Sequence, residues 1–291
     1  MIVRLRDRTL ELSAPLLMGI VNATPDSFSD PQRVKPDEQL VERALEQVAA
    51  GAELIDVGGE SGRTDTDAVA ADEEIARVVP LVERLAGEGV TVSVDTWRAP
   101  VALAALEAGA RMINDVSGLS EPEIAAACAR TGAGLVITHT RIPPKTKGFP
   151  SYPDVVADVV DLLRERAGEA RSRGLASEQL VLDPGIDLAK TPAESVEVLR
   201  RLPELRALGR PLLLSVSRKD FVGALTDRSP AARGAGTLAA LGVAVEGGAA
   251  ILRVHDVADA RDYLAVRSAL SGDGKVVDEL PLDPELRRER G

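Results

Sequence analysis

Eight short apolar runs alternate with longer segments of helical periodicity along this chain of 291 residues. The runs are rich in Val, Ile and Leu and do not alternate with polar residues, which predicts strands that are covered on both faces. Strands of this kind, separated by helices, are typical of a parallel sheet. The predicted strands are 16–23, 53–58, 91–95, 112–116, 134–139, 180–183, 211–217 and 250–255.

The segments between the runs carry the pattern of amphipathic helices. Apolar residues recur at the i, i+3, i+4, i+7 spacing of a helix face in two of them: Val41, Ala44, Leu45 and Val48, and then Val156, Val159, Val160 and Leu163. Residues 191–194 and 120–123 have the capping-box spacing and predict two helix starts.

Eight consecutive strand–helix units predict an α/β protein with a (β/α)8 TIM barrel fold. An open doubly wound sheet is the alternative, although no G-x-G-x-x-G follows the first run. Residues 1–15 predict an N-terminal β-hairpin that closes the bottom of the barrel, and the charged residues 271–291 predict a tail. No linker-like change of composition lies between them, so we expect a single domain over residues 1–291.

Composition excludes several classes of protein. The net charge of −11 argues against nucleic acid or an anionic membrane surface as a partner. Cys128 is the only cysteine, which predicts a reducing, cytoplasmic location, and its alanine-rich surroundings predict a buried structural thiol. No apolar run reaches 18 residues, so we expect neither a membrane span nor a signal peptide.

Polar side chains stand where the predicted strands end. Because the carboxyl ends of all barrel strands meet at one rim, these side chains predict a shared site. Five of them are cationic or can become so, which predicts an anionic ligand even though the chain is acidic. The strand-end residues are Asn22, Asp56, Asp95, Asn114, Asp115, His139, Asp183, Arg218, Lys219, Arg253 and His255.

Seven motifs, in order, make the chain resemble the dihydropteroate synthase family between about residues 16 and 260. The first two are Met-Gly-Ile-Val-Asn-Ala-Thr-Pro-Asp-Ser-Phe-Ser-Asp at 18–30 and Leu-Ile-Asp-Val-Gly-Gly-Glu-Ser at 54–61. The others lie at 94–96, 113–118, 183–186, 217–223 and 253–256. Each motif alone is weak, whereas the ordered set is specific.

The resemblance implies a reaction in which para-aminobenzoate displaces pyrophosphate from 6-hydroxymethyl-7,8-dihydropterin pyrophosphate. It implies that Asp183 accepts hydrogen bonds from the pterin edge with Asn114 beside it, as a carboxylate suits paired N–H donors. By the same resemblance Lys219 donates to the ring, Arg253 stacks on its face, and Asp95 stabilises a methylene cation. Asp95, Lys219 and Arg253 are therefore the predicted catalytic residues.

The resemblance also implies sites for the other groups. Asn22, Arg63, Arg253 and His255 are predicted to bind pyrophosphate, with Asn22 as a ligand of the Mg²⁺ cofactor. The predicted aminobenzoate side consists of Phe28, Leu188 and Arg218. A homodimer is implied as well, for which the apolar residues 237–245 offer a candidate face.

Three segments depart from the family pattern. Gly62-Arg63-Thr64 stands for Thr-Arg-Pro, Asp187-Leu188-Ala189 stands for Gly-Phe-Gly, and Thr138-His139-Thr140 begins a segment that replaces a Met-rich loop. These departures affect the second-substrate side and leave three alternatives open. They are a homologue that uses another amine or turns over poorly, a pterin-binding methyltransferase that acts with a corrinoid protein, and a noncatalytic module.

Three strand-end residues have a structural interpretation beside the ligand-binding one. His139 is interpreted as a residue that orients a loop rather than one that binds ligand. Asp56 and Asp115 either contact ligand or accept hydrogen bonds from the barrel's own backbone.

Overall fold

The computed structural model describes residues 1–23, 38–60, 68–272 and 274. Within them, eight parallel strands close into a barrel in the order β10-β3-β4-β5-β6-β7-β8-β9, which confirms the predicted fold. The barrel strands are β3 (Leu16–Asn22), β4 (Leu54–Gly58), β5 (Val92–Asp95), β6 (Met112–Asp115), β7 (Gly134–Thr138), β8 (Leu180–Asp183), β9 (Leu212–Leu214) and β10 (Ala249–Val254).

Helices follow every barrel strand along the chain, and β9 is followed by two. They are α1 (Glu38–Ala49), α2 (Ala71–Gly87), α3 (Ala99–Glu107), α4 (Glu123–Thr131), α5 (Val155–Ser172), α6 (Pro192–Arg200), α7 (Asp220–Thr226), α8 (Gly234–Gly247) and α9 (Val257–Ser271). A 3₁₀ helix, Leu202–Leu208, lies between α6 and β9. No helix in the described part of the chain is long and apolar enough to span a membrane.

An N-terminal hairpin closes the bottom of the barrel, as predicted. Strands β1 (Ile2–Leu5) and β2 (Arg8–Glu11) pair antiparallel. Val3 and Leu5 are buried and pack against the inward-facing side chains near the amino ends of the barrel strands. The inward-facing set is Met18, Leu54, Met112, Val136, Val181, Leu213 and Ile251.

This inner cluster also fixes which side chains reach the upper part of the barrel. Side chains alternate between the two faces of a strand, so residues two positions later point inward as well, nearer the carboxyl ends. Of the seven residues at these positions Ile20 is apolar, whereas the others are polar and include Asp56, Asn114, Thr138, Asp183 and Arg253.

One of the two predicted capping boxes is correct. Thr191 Oγ1 accepts from the Glu194 N–H at 3.3 Å, and the Glu194 carboxylate accepts from the Thr191 N–H at 2.7 Å, at the start of α6. The prediction for residues 120–123 was wrong, because α4 begins at Glu123 after Pro122 and the Ser120 hydroxyl donates to Ser117 Oγ instead.

Other predictions have mixed outcomes. Cys128 is buried, as expected, whereas Val48 of the predicted α1 stripe is 36% exposed. The predicted tail falls almost entirely outside the described residues.

Candidate active site

Arg253 is the centre of the polar network at the barrel rim. Its Nε donates to Asp56 Oδ2 at 2.7 Å and its Nη2 donates to Asp95 Oδ2 at 3.0 Å. Asp56 Oδ2 also accepts from Asn114 Nδ2 at 3.0 Å. The buried Asp56 therefore orients the side chains of Arg253 and Asn114, a role that was not among the two predicted for it, ligand contact and hydrogen bonding to the barrel backbone.

The charges on Asp95 and Arg253 depend on each other. Burial raises the pKa of Asp95 to about 7; Arg253 opposes this shift and Asp56 adds to it. Burial alone would lower the pKa of Arg253, but the neighbouring Asp56 and Asp95 hold it above its ordinary value. Asp56 and Asp95 thus hold the partly buried Arg253 guanidinium in its charged form and in one position before any ligand binds.

Asp183 is oriented by the turn that follows β8. Its Oδ1 accepts from the Gly185 N–H at 2.7 Å. Burial raises the pKa of Asp183, against the lowering influence of Gly185, Lys219, Lys190 and Arg253.

Lys219 interacts electrostatically with the same group. Burial lowers its pKa, while Asp187, Asp183 and Asp95 act in the opposite direction. The structure therefore brings Asp95, Asp183, Lys219 and Arg253 close enough to shift one another's protonation, with Asn114 beside them.

His255 and Asn22 stand at the edge of this network. His255 Nδ1 shares a hydrogen bond of 2.9 Å with Ser217 Oγ, and burial together with Arg253 and Arg218 lowers its pKa to about 4. Asn22 is exposed at the end of β3. A Cβ atom added to Gly58 would lie 3.4 Å from Asn22 Oδ1 and 3.8 Å from Asp95 Cβ, so Asn22 and Asp95 flank the same glycine.

The Asn22 oxygen at this rim fits a metal ion that takes most of its ligands from the substrate and water. Among the described residues, no group of three or more His, Cys, Asp or Glu side chains could hold a metal ion. Mg²⁺ keeps several waters and combines one or two protein oxygens with substrate phosphates. The Asn22 amide oxygen suits such a role.

Two other predicted site residues lie outside the described part of the chain. They are Arg63, predicted to bind pyrophosphate, and Phe28, predicted on the aminobenzoate side.

The loop after β8 has an unusual backbone at two residues that are not glycine. Asp187 and Ala189 have φ values of 63° and 53°, in the left-handed region that glycine adopts most easily. The family pattern has glycine at both positions. Leu188 lies between them and is half-buried.

Side chains from neighbouring elements hold this loop. Buried Lys190 donates from Nζ to the carbonyl oxygens of Gly185 at 2.9 Å and Leu188 at 3.2 Å. The Tyr152 hydroxyl donates to the Ala189 carbonyl oxygen at 2.9 Å. These contacts thus hold the loop in a backbone conformation that glycine would adopt more easily.

Asp187 and Arg218 are both engaged with other groups. The Asp187 carboxylate accepts from Ser195 Oγ at 2.9 Å and from the Phe221 N–H at 3.2 Å. Its negative charge therefore anchors the loop to α6 and α7. Arg218 Nη2 donates to both oxygens of Asp256, at 2.9 and 2.8 Å, so its predicted contact with aminobenzoate stays a prediction.

His139 is part of a buried support for the same loop. Lys190 Nζ donates to His139 Nδ1 at 2.8 Å, and His139 Nε2 lies 2.8 Å from Asp158 Oδ1. Burial lowers the pKa of His139 to about 3, so the ring is neutral. This geometry agrees with a residue that orients a loop.

Asp115 accepts hydrogen bonds from its own turn. Its oxygens accept from the Ser117 N–H at 2.7 Å, the Ser117 hydroxyl at 2.6 Å and the Leu119 N–H at 3.0 Å. The structure therefore gives it the backbone-binding role.

A second buried ion network supports the rim beside β4. Arg98 Nη1 donates to Glu60 Oε2 at 2.6 Å and also to Glu74. Glu74 is fully buried, and this burial raises its pKa. Arg98 Nη2 donates to the Val69 carbonyl oxygen at 3.0 Å.

Replacement of Arg98 by Met should lower the free energy of unfolding by about 3 kcal/mol, because it leaves the fully buried Glu74 without its cation, whereas Glu60 keeps Lys145 at 3.7 Å. Urea denaturation measures this change. The control is Arg84→Met, which removes the exposed pair with Glu88 and should cost at most about 0.5 kcal/mol. Equal effects of the two substitutions would contradict the stabilising role of the buried network.

The chain is similar to known proteins over most of its length. A family model described as pterin binding enzyme matches residues 18–255. The chain is 41% identical over 258 residues to dihydropteroate synthase of a Synechocystis species, covering 87% of this chain and 89% of the relative.

Two solved structures are similar over nearly their whole length. Dihydropteroate synthase of Xanthomonas albilineans with 4-aminobenzoic acid is 42% identical, with a TM-score of 0.85 and coverage of 93% of this chain and 99% of that one. The Thermus thermophilus enzyme in complex with 6HMPPP is 40% identical, with a TM-score of 0.81 and coverage of 93% and 100%.

Proposed function

The chain belongs to the family of pterin-binding enzymes that contains the dihydropteroate synthases, and from this membership we propose how its own residues carry out the reaction. The chain is a transferase of folate biosynthesis that condenses 6-hydroxymethyl-7,8-dihydropterin pyrophosphate with para-aminobenzoate to form dihydropteroate and pyrophosphate. The observation that carries the assignment of residues is the Asp56–Arg253–Asp95 bridge, which lies at the rim that also holds Asp183 and Lys219.

Asp183 binds the pterin in this proposal. Its carboxylate, aimed by the Gly185 N–H, accepts from a ring N–H and the exocyclic amino group, and charge-assisted bonds of this kind are the stronger ones. Lys219 donates to the ring carbonyl and nitrogen. Arg253 lays its planar guanidinium against the ring face, since Asp56 and Asp95 fix its orientation.

Asp95 stabilises the charge that develops during the reaction. The methylene carbon–oxygen bond breaks, pyrophosphate leaves with the electron pair, and the methylene group becomes cationic. The ionised Asp95 carboxylate stabilises this cation electrostatically. The amine nitrogen of para-aminobenzoate then forms the new carbon–nitrogen bond and releases a proton.

Asn22, Arg63, Arg253 and His255 bind the leaving pyrophosphate in this proposal. His255 hydrogen-bonds Ser217, which fixes the imidazole where it can donate to a phosphate oxygen. Asn22 would hold Mg²⁺, which would supply charge neutralisation of the leaving group when bound.

Para-aminobenzoate is the second substrate that the described loop favours. Asp187 and Ala189 have the left-handed backbone that glycine adopts most easily, at positions where the family pattern has glycine. The Asp187 carboxylate accepts hydrogen bonds from Ser195 and the Phe221 N–H, so it is held toward α6 and α7. Leu188 and Phe28 supply the apolar side of this subsite.

The direct test incubates the protein with the pterin pyrophosphate, Mg²⁺ and para-aminobenzoate and follows both products. Dihydropteroate and pyrophosphate should appear in equal amounts, and removal of Mg²⁺ by chelation should stop the reaction. Pyrophosphate release without dihydropteroate would indicate a different amine substrate. Pterin binding that does not depend on pyrophosphate would point to the methyltransferase alternative.

The protein is further proposed to be a cytoplasmic homodimer with no nucleic-acid or membrane partner. Large apolar side chains are exposed on α8 and α9, namely Val243, Val266 and Leu270, and the net charge of −11 disfavours anionic polymers. Light scattering should give twice the chain mass of 30.6 kDa. A single-chain mass, or recovery in a membrane fraction, would reject the respective part.

A further inference from the structure

Thr138 occupies a central position among the pterin-binding strands. It is the last residue of β7, which lies between β6 with Asn114 and β8 with Asp183. The register pairs Thr138 directly with Asp183. Because Thr138 is two residues after the inward-facing Val136, its side chain points into the barrel beside the Asp183 carboxylate.

The hydroxyl of Thr138 is buried without a hydrogen-bond partner among the described residues. The residue is only 1% exposed. An unsatisfied buried hydroxyl costs stability, so a native protein that keeps one calls for an explanation. Asn114 Oδ1, on the next strand, is in the same condition.

We propose that the Thr138 hydroxyl accepts a hydrogen bond from the exocyclic amino group of the bound pterin, which makes Thr138 a specificity-determining residue. The inference rests on the proposed function. The amino group has two N–H donors and is bonded to the ring carbon that lies between two ring nitrogens. When Asp183 on β8 takes one donor and Asn114 on β6 faces the other side, the remaining donor lies over β7, where Thr138 ends the strand.

The chemistry of the side chain supports this role. A threonine hydroxyl can accept from an amino group, whereas the methionine that the family pattern leads one to expect in this segment carries only a weak sulfur acceptor. Thr138 thus turns an apolar part of the pocket wall into a polar one at the point where the ligand presents a donor.

The test is the isosteric Thr138→Val variant. Binding of 6-hydroxymethyl-7,8-dihydropterin pyrophosphate with Mg²⁺, measured by calorimetry, should weaken about tenfold, the usual effect of one lost hydrogen bond. The ligand-free variant should unfold at the same or a higher urea concentration, because it no longer buries an unsatisfied hydroxyl. A purely structural threonine would instead lose stability and keep its affinity.

Two controls assign the effect to the amino group. Thr138→Ser keeps the hydroxyl and should recover most of the affinity that Thr138→Val loses. An analogue of the pterin pyrophosphate without the exocyclic amino group should bind the wild-type and Thr138→Val proteins equally. Should Thr138→Val fail to fold, Thr138→Ala takes its place in both comparisons.

The results distinguish failure of this inference from failure of the proposed function. Unchanged affinity of Thr138→Val, or an equal loss with the analogue, overturns the inference while wild-type turnover leaves the proposed function standing. A wild-type protein that neither binds the pterin pyrophosphate nor forms dihydropteroate overturns both.

Discussion

Asp183→Asn is expected to weaken the binding of pterin pyrophosphate by about 1,000-fold, because it removes charge-assisted hydrogen bonds and turns a donor toward the donors of the ligand. The Asn side-chain oxygen can still accept from the Gly185 N–H, as Asp183 Oδ1 does at 2.7 Å, so the turn should persist. Calorimetric titration of the variant with the pterin pyrophosphate and Mg²⁺ measures the loss.

Asp115→Asn is the matched control, at the end of β6. Asp115 accepts three hydrogen bonds from Ser117 and Leu119, so the change should lower the free energy of unfolding and leave pterin affinity nearly intact. If Asp183→Asn binds the ligand as well as the wild type does, Asp183 is not the pterin anchor.

Asp95→Asn is expected to reduce kcat by about 1,000-fold, since loss of one preorganised electrostatic contact to a developing charge commonly costs about 100- to 1,000-fold. Pterin affinity should change far less, because the ground-state ligand carries no methylene cation. Rapid-quench measurement of a single turnover isolates the chemical step. A loss confined to KM would assign Asp95 to binding alone.

The same carboxyl group should set the acid limb of the pH profile. Burial raises the pKa of Asp95 to about 7, and only the ionised form stabilises a cation. The value of kcat/KM should therefore rise with pH up to about 7 and fall about tenfold per pH unit below it. The Asp95→Asn variant should lack this dependence. An unchanged acid limb in the variant would assign the titration to another group.

The fold was predictable because it depends on local patterns. Eight apolar runs match the eight barrel strands within a few residues, and the hairpin at residues 1–15 lies where expected. The prediction of 211–217 as a strand was too long, since β9 ends at Leu214 and the chain turns at Arg218 with a φ of 57°. The failed helix cap at Ser120 shows that spacing alone does not decide which partner a hydroxyl takes.

The site could be predicted only as a set of residues. The sequence placed Asp95, Asp183, Lys219 and Arg253 at strand ends, and the structure brings them to one rim. It did not indicate that Asp56 binds Arg253, because the two are 197 positions apart and the pairing depends on side-chain directions in the closed barrel.

The orphan hydroxyl of Thr138 and the contacts of Lys190 were missed for a related reason. Both depend on what surrounds a buried side chain. The inward alternation after Val136 is the sequence signal that could have indicated Thr138.

The loop after β8 is supported by residues that lie outside the barrel strands. Ser195 on α6, the Phe221 N–H on α7 and Tyr152 just before α5 contact Asp187 and Ala189, the two residues with left-handed backbone angles. Inherited changes at Ser195 or Tyr152 can therefore reshape this loop, which the proposed function places beside the second substrate. Variants with altered tolerance to compounds that mimic that substrate should be sought among these supporting residues as well as at the rim.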